Sequence, residues 1–480
     1  MRYIIYKLLI VLVVLLSLGS CKKSFLDQSP NIALTIDKAI TSEASMLEAV
    51  AGMYRSMTTY YTFGRNYSVF GDLLSDNVYL SSTNSSRFLS QSGFLWTGES
   101  PEASALWQNT YFSILQANRI LASNLQRTEN VNYLLGECYT ARALCYFYLV
   151  NWFAQPFTVS ATAPGVPLVI IPANITGPLV LPARNTVAEV YTQMVKDLDS
   201  AASLMPADPK MHPNTTNFFS KAAAKALQAR CYLFMGDYAK ARDAALGLVQ
   251  NGGFTLAGDK NTFNSYWAAT AGRTDKLESI FGLNNPAAAN NGVEGIDYIY
   301  SSKGFGDLLA TDSLYQLYSP TDYRRGLIAD SVRNKNQAYV VKKYQNATNT
   351  DRDEVKLLRY AEVLLTLAES YARTNDKDNA LLYLNSLAKK RDPSFAGYDA
   401  GMTLADITTA ILKERQKELA FEGLRFFDLA RTNVSYAREN MGTKAYSNYP
   451  QVLQTDFRRI QPIPRNELNV NPNIAPNPGY

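Results

Sequence analysis

Apolar residues recur at three- and four-residue spacing over long stretches of this chain, the period of one buried helix face. The pattern covers roughly 42–61, 101–126, 130–153, 186–205, 219–236, 238–251, 356–373, 376–391 and 403–432. Start signals accompany it. Ser100 precedes Pro101 and Glu102, a capping residue before a proline in the first turn. Thr186 with Glu189, and Thr403 with Asp406, have the spacing of a capping box. Three regions interrupt the pattern, at about 62–100, 154–185 and 252–350, where Tyr, Ser, Asn, Gly and Pro replace the apolar repeat. From about 445 the chain is rich in Pro and Asn, which predicts an extended tail.

Several of the helices resemble one another. Ala226 to Leu233 leads through Gly236-Asp237-Tyr238 to Ala241; Ala361 to Ala372 leads through a polar turn to Ala380; Ala141 to Leu149 echoes both. Small residues that let helices approach, a tight turn and a second helix are similar to the tetratricopeptide pattern, although the spacing is not a clean tandem. The expected fold is mainly α: degenerate tetratricopeptide-like helix pairs in a single large domain over 21–480, with irregular loop and short-strand inserts. The helical scaffold is expected over about 42–250 and 356–432, and the inserts are the expected seat of binding.

The first 20 residues read as an export signal. Arg2 and Lys7 make a basic start, and the apolar run Leu8–Leu18 is too short to span a bilayer, which takes about 20 residues. Leu18-Gly19-Ser20-Cys21 resembles the bacterial lipobox. That resemblance implies cleavage before Cys21 and acylation of Cys21, whose chains would anchor the protein in membrane lipid. Cys138, Cys145 and Cys231 form no disulfide framework or metal spacing and are expected as buried free thiols.

Composition narrows the chemistry. The formal net charge of +5 falls to near +3 without Arg2 and Lys7, with no dense basic run, which argues against nucleic acid. The single histidine, His212, lies beside Pro213, so a Ser-His-Asp mechanism would rest on a loop residue. No phosphate loop is present, and Asp72, Asp76 and Asn77 lack the spacing of a calcium loop. No catalytic residue, metal or cofactor is expected. Glu414, Glu418 and Glu422 share one helix face, as a hydrolytic carboxylate pair could. However, Arg415, Arg425, Asp428 and Arg431 are interleaved with them, and Glu422–Arg425, Arg425–Asp428 and Asp428–Arg431 are i,i+3 pairs. A structural ion network is the expected reading.

The 31 Tyr, 21 Phe and 4 Trp suit either helix packing or sugar recognition, which needs flat rings beside amides, carboxylates or arginine. Such mixtures occur at Asp76, Asn77, Tyr79, Arg87 and Trp96, and at Asn290, Asn291, Asp297, Tyr298 and Tyr300, with Trp267 nearby. On a strand Tyr298 and Tyr300 would point the same way and form a stacking platform.

Ordered motifs along the chain resemble the SusD/RagB family of outer-membrane nutrient-binding lipoproteins. They are Cys21 with Phe25-Leu26-Asp27, Gln116–Leu121, Arg142–Val150, Arg184 through Leu198, Leu358–Leu365, Glu414–Gly423 with Arg425 and Asp428, and the closing Asn477-Pro478-Gly479-Tyr480. The resemblance implies a tetratricopeptide-like scaffold and a non-catalytic lipoprotein, lipid-anchored in the outer membrane and facing the cell exterior. It also implies capture of glycans, or in some members peptides, for delivery into a SusC-like TonB-dependent β-barrel. A helical-repeat assembly scaffold with no nutrient ligand is the rival from another class. On the ion-network reading, Arg425→Ala lowers the melting temperature before it weakens ligand binding; unchanged melting with lost binding would overturn it.

Overall fold

The computed structural model describes residues 3–5, 39–172, 181–212, 215–440 and 444–480. Cys21 and nearly all of the expected signal segment lie outside them. The scaffold is a stack of helices joined largely in chain order. After α1 (Glu43–Met57) and two short insert helices, α2 (Asn66–Leu73) and α3 (Leu89–Ser92), come α4 (Pro101–Leu121), α5 (Glu129–Phe153) and α6 (Val187–Leu204). Next come α7 (Lys221–Met235) and α8 (Tyr238–Asn251). Consecutive members of the series α1, α4, α5, α6, α7, α8 pack against one another. The insert helices α9 (Lys260–Ala268), α10 (Ile296–Tyr300) and α11 (Asp312–Gln316) stand outside the stack, which resumes at α12 (Tyr360–Arg373) directly against α8. It ends with α13 (Lys377–Arg391), α14 (Leu404–Glu418) and α15 (Arg425–Arg431). The fold class is the mainly helical one expected.

Local chemistry explains the boundaries. Both capping boxes are made, Thr186 with Glu189 and Thr403 with Asp406. Gly236 ends α7 in the left-handed conformation at φ 74°, and Asp237 caps α8 through the Lys240 amide, so the Gly-Asp-Tyr turn folds the pair back on itself. Ser100 departs from expectation: it stands at the N-cap of α4 without a side-chain cap bond, because its Oγ accepts from the Thr97 amide at 2.8 Å instead. The helix α5 is buried nearly all round, which places it at the centre of the core. Cys138, Cys145 and Cys231 are buried and free. Trp152 at the end of α5 lies flat on Phe426 at 5.5 Å and edge-on to Phe427 at 4.8 Å.

The inserts form small sheets. Strands β1 (Val78–Leu80), β3 (Leu308–Ala310), β5 (Asn336–Val341) and β4 (Ile328–Arg333) lie in that order, each pair antiparallel. The pairing of β1 with β3 joins the first insert to the third. A second pair, β2 (Ser279–Asn285) with β6 (Arg352–Arg359), runs straight into α12. The helix expected from 356 therefore begins at Tyr360, and residues 356–359 are strand. A last pair joins β7 (Tyr436–Ala437) to β8 (Gln451–Val452). The tail is not wholly extended: α16 (Arg465–Val470) interrupts it. The tail is pinned to the core by Asn477, whose amide donates to Phe153 O at 2.9 Å and Gln461 O at 2.8 Å.

The helix expected over 403–432 breaks at 419–424 for a definable reason. Asp72 accepts from the Phe421 amide at 3.1 Å and the Gly423 amide at 2.7 Å. Phe421 and Gly423 take φ of 68° and 79°, outside any helix. A Cβ on Gly71 would stand 1.9 Å from Gly423 O, and one on Gly423 would stand 2.4 Å from Ser68 Cα. Only glycines allow α2 to meet this turn.

On both sides of the break and within it, the carboxylates Glu414 and Glu418 of α14, Glu422 and Asp428 enter a buried ion network. Glu418 accepts from Arg359 at 2.9 Å, Arg391 at 3.0 and 2.9 Å, and Arg324 at 3.1 Å. Glu422 accepts from Arg359 at 2.8 and 2.6 Å and from Lys343 at 2.6 Å. Glu414 sits 2.6 Å from Arg324 and 3.2 Å from Lys417. Asp428 accepts from Arg415 at 3.0 Å and Arg431 at 2.8 Å, and Arg431 clasps Glu369 at 2.7 Å. Of the three i,i+3 pairs expected, only Asp428–Arg431 is present. Arg425 turns instead to Asp76 across the fold, with two bonds of 2.7 Å. The helix break redirects it.

Burial opposes ionisation of Glu418, but the guanidiniums of Arg391, Arg359 and Arg324 outweigh it and hold the carboxyl well below its usual range. A depressed carboxylate stabilises the fold above its unfolded pKa, about 4.3, and that contribution is lost as pH falls through its folded value. Glu418→Gln leaves three guanidiniums without their shared anion and costs about 3–5 kcal/mol. Urea unfolding at neutral pH measures the loss; a shift under about 1 kcal/mol would show the network is not holding these elements together.

Candidate ligand-binding site

The structure buries most of the residues proposed as ligand contacts. Asp76 is engaged by Arg425, and Asn77 donates to Asp72 at 2.8 Å and accepts from Gln416 at 3.2 Å. Tyr79 is buried in β1, and that burial pushes its phenol up to about 12. Trp96 plugs the core, its Nε1 donating to the Tyr480 hydroxyl at 2.6 Å. Trp267 lies buried under cations, with Lys343 Nζ 4.1 Å and Arg359 5.1 Å from its ring. Tyr300 is buried and stacks on Tyr344 at 5.6 Å. The expected strand at 298–300 is the helix α10, where residues two apart face different sides; Tyr300 points inward and Tyr298 outward. The platform expected from this pair is therefore not formed.

Arg87 and Tyr298 remain half-buried at the surface, and the fold brings their neighbourhoods together. Glu294 receives Arg87 from the first insert and Arg65 from the start of the same insert. Arg87 Nε also donates to both oxygens of Glu294 at 3.2 Å. The Arg87 guanidinium lies 4.4 Å over the Phe305 ring, and Phe305 meets Tyr298 edge-on at 4.8 Å. Arg65 lies 4.7 Å over Tyr60, which packs on Tyr61 at 4.1 Å. Tyr61 is 38% exposed. Asn291 secures this edge by donating to Thr58 O at 2.8 Å. It passes so close to Gly64 that a Cβ there would stand 2.6 Å from its amide nitrogen. Asp307 adds a second tie, accepting from the Ser85 amide at 2.9 Å.

The result is a ledge of tyrosines and a phenylalanine crossed by two arginines and a carboxylate. Hydrogen bonding from Arg87 and the charge of Arg65 hold the Glu294 carboxyl below its usual range, so it is ionised at neutral pH. The ledge offers ring faces, the half-buried Arg87 as a charged donor and Glu294 as an acceptor, the mixture that recognises a sugar ring, while Arg65 is buried behind them. Sequence reading missed Tyr60, Tyr61, Arg65, Glu294 and Phe305. The adjacent Tyr60-Tyr61 pair after α1 was a visible signal. Glu294 was not, because its partner Arg87 lies 207 residues away.

Comparison with known proteins settles the family. Residues 24–233 match a family model described as starch-binding, associating with the outer membrane, and residues 328–480 match the SusD family model. The chain belongs to the SusD/RagB family. It is similar over 99% of both chains to SusD-like protein P2 of Formosa agariphila, at 26% identity. A solved Bacteroides vulgatus protein, provisionally described as sugar binding, superposes with a TM-score of 0.82 at 28% identity, covering 92% of this chain and 99% of that one. A SusD superfamily protein of Bacteroides thetaiotaomicron superposes at 0.79 and 25% identity, covering 91% and 100%. This chain is thus a SusD-type nutrient-binding protein, of a family associated with the outer membrane.

The junction of the inserts is itself open to test. Glu294→Gln removes the charge both arginines share and raises amide hydrogen exchange over 59–66 and 84–88, while α5 exchanges as before. Equal exchange in both proteins would show that other contacts hold the ledge.

Proposed function

We propose that this SusD-type protein is a cell-surface lipoprotein that captures glycans on the Tyr60–Tyr61–Arg87 ledge and delivers them to a SusC-like TonB-dependent transporter. The ledge is the observation that carries the glycan reading, because it is built from the inserts and sets rings beside charged hydrogen-bonding groups. Arg65 and Arg87 are already oriented by Glu294, so a ligand meets a preformed surface. Capture for transport requires no bond to be broken here, and the carboxylates Glu418 and Glu422 that could suggest hydrolysis are committed to buried cations. The lipobox-like segment supports an acylated Cys21 as the membrane anchor, and the family supports the barrel as partner.

Calorimetric titration of a soluble form lacking residues 1–21 with neutral oligosaccharides tests the reading. Saturable heat with one glycan class, without product, is expected, together with its loss in Tyr60→Ala/Tyr61→Ala at an unchanged melting temperature. Silence across the panel with heat from peptides would replace glycan by peptide. Silence with both would favour an assembly scaffold.

A further inference from the structure

Away from the ledge, a cavity of about 660 Å³ opens between α6, α7, α8 and the segment after α8. That volume falls within the range of small-molecule sites, about 300–1,000 Å³. Its apolar lining is Tyr133, Tyr232, Leu248, Phe254 and Ile280. Four lysines, Lys221, Lys225, Lys240 and Lys276, and two carboxylates, Asp199 and Asp243, also line it, with Lys276 Nζ 5.9 Å over the Phe254 ring and Lys240 Nζ 5.5 Å over the Tyr232 ring.

The partners of these charges decide the balance. Asp243 is held by Arg242 at 2.8 Å, and Lys240 by Asp237 at 2.8 Å. Lys225 donates only to the neutral Gln228 oxygen, at 2.8 Å, and Gln228 in turn donates to Asp199 at 2.7 Å. Lys276 donates to Gly252 O at 3.2 Å. No ion pair among the described residues uses Lys221, Lys225 or Lys276. Burial lowers the pKa of His212, which stacks on Phe218 at 3.6 Å and adds no charge at neutral pH. Three ammonium groups thus share one cavity with Asp199 as the lining carboxylate that no neighbouring cation holds.

We propose that this cavity is a second ligand site, for an anionic saccharide whose ring rests against the aromatic lining and whose carboxylate or sulfate sits among Lys221, Lys225 and Lys276. Lysine binds such groups as a point charge on a mobile stem, without a planar fork to fix the anion's orientation. Ser220 and Thr215 add hydroxyl partners for sugar hydroxyls. A peptide fits less well. Much of its lining comes from α6, α7 and α8, whose backbone groups are already bonded and cannot pair with a peptide main chain.

The test is a titration of the soluble chain with trigalacturonate, a sulfated disaccharide and the methyl ester of trigalacturonate. At least one anionic probe should bind, more weakly as salt rises, and the ester should not. Lys221→Gln/Lys276→Gln should weaken that binding about tenfold or more, and Lys221→Arg/Lys276→Arg should restore most of it. Tyr60→Ala/Tyr61→Ala should leave it unchanged, which separates this site from the ledge. Binding of neither anionic probe, equal binding of the ester, indifference to the lysine substitutions, or displacement of the saccharide by an equal concentration of pentaglutamate would each overturn the proposal.

Discussion

The structure depends on the buried carboxylate of Glu418. It gathers guanidiniums from three separate parts of the chain: Arg324 after α11, Arg359 at the end of β6 and Arg391 at the end of α13. Arg391 also holds Glu278 beside β2 at 2.8 Å, and Arg359 continues to Glu422. Sheet, helices and insert are thus held at one point. Burying so many charges is costly unless each is paired, and here five cations, Arg324, Lys343, Arg359, Arg391 and Lys417, face Asp322, Glu278, Glu414, Glu418 and Glu422. Such a cluster adds little net stability over an apolar core, but it penalises any arrangement that leaves one member unpaired.

The same logic explains why the family motifs end inside the protein. Arg142 of α5 clasps Asp197 of α6 at 2.8 and 2.6 Å and donates to Asn118 of α4 at 2.8 Å, so three motifs meet in one contact. Arg230 of α7 reaches Glu362 of α12 at 2.7 and 2.6 Å, bridging the gap left by the long third insert. These residues fix how the helices stack. The motif residues thus serve the scaffold.

The inserts reach their places by different means. The first is locked by Asp72 and the Gly71–Gly423 contact, where backbone meets backbone. Its burial without a cation among its hydrogen-bond partners pushes the Asp72 carboxyl up to about 7, although Asn77 and two amides offset part of that. The outer edge of the same insert is held by Glu294 of the third. A firm inner anchor and a charged outer seam leave the tyrosine ledge ordered yet open to solvent. The lysine cavity, in contrast, lies on the helix stack, with the start of the third insert supplying Phe254, Lys276 and Ile280.

Helical period, caps and turn residues made the scaffold legible from the chain, because each is a local property of a few neighbouring residues. The Gly-Asp-Tyr turn at 236–238, both capping boxes and the buried cysteines belong to this class, as does the family, through motifs read in order. Four features required the tertiary structure: the break at 419–424, the burial of Tyr79, Trp96, Trp267 and Tyr300, the turn of Arg425 to Asp76, and the meeting of Arg87 with Glu294. The composition of an insert shows which side chains could meet a sugar, but not which of them the fold covers. That is settled by contacts between residues hundreds of positions apart, where sequence spacing carries no information about distance.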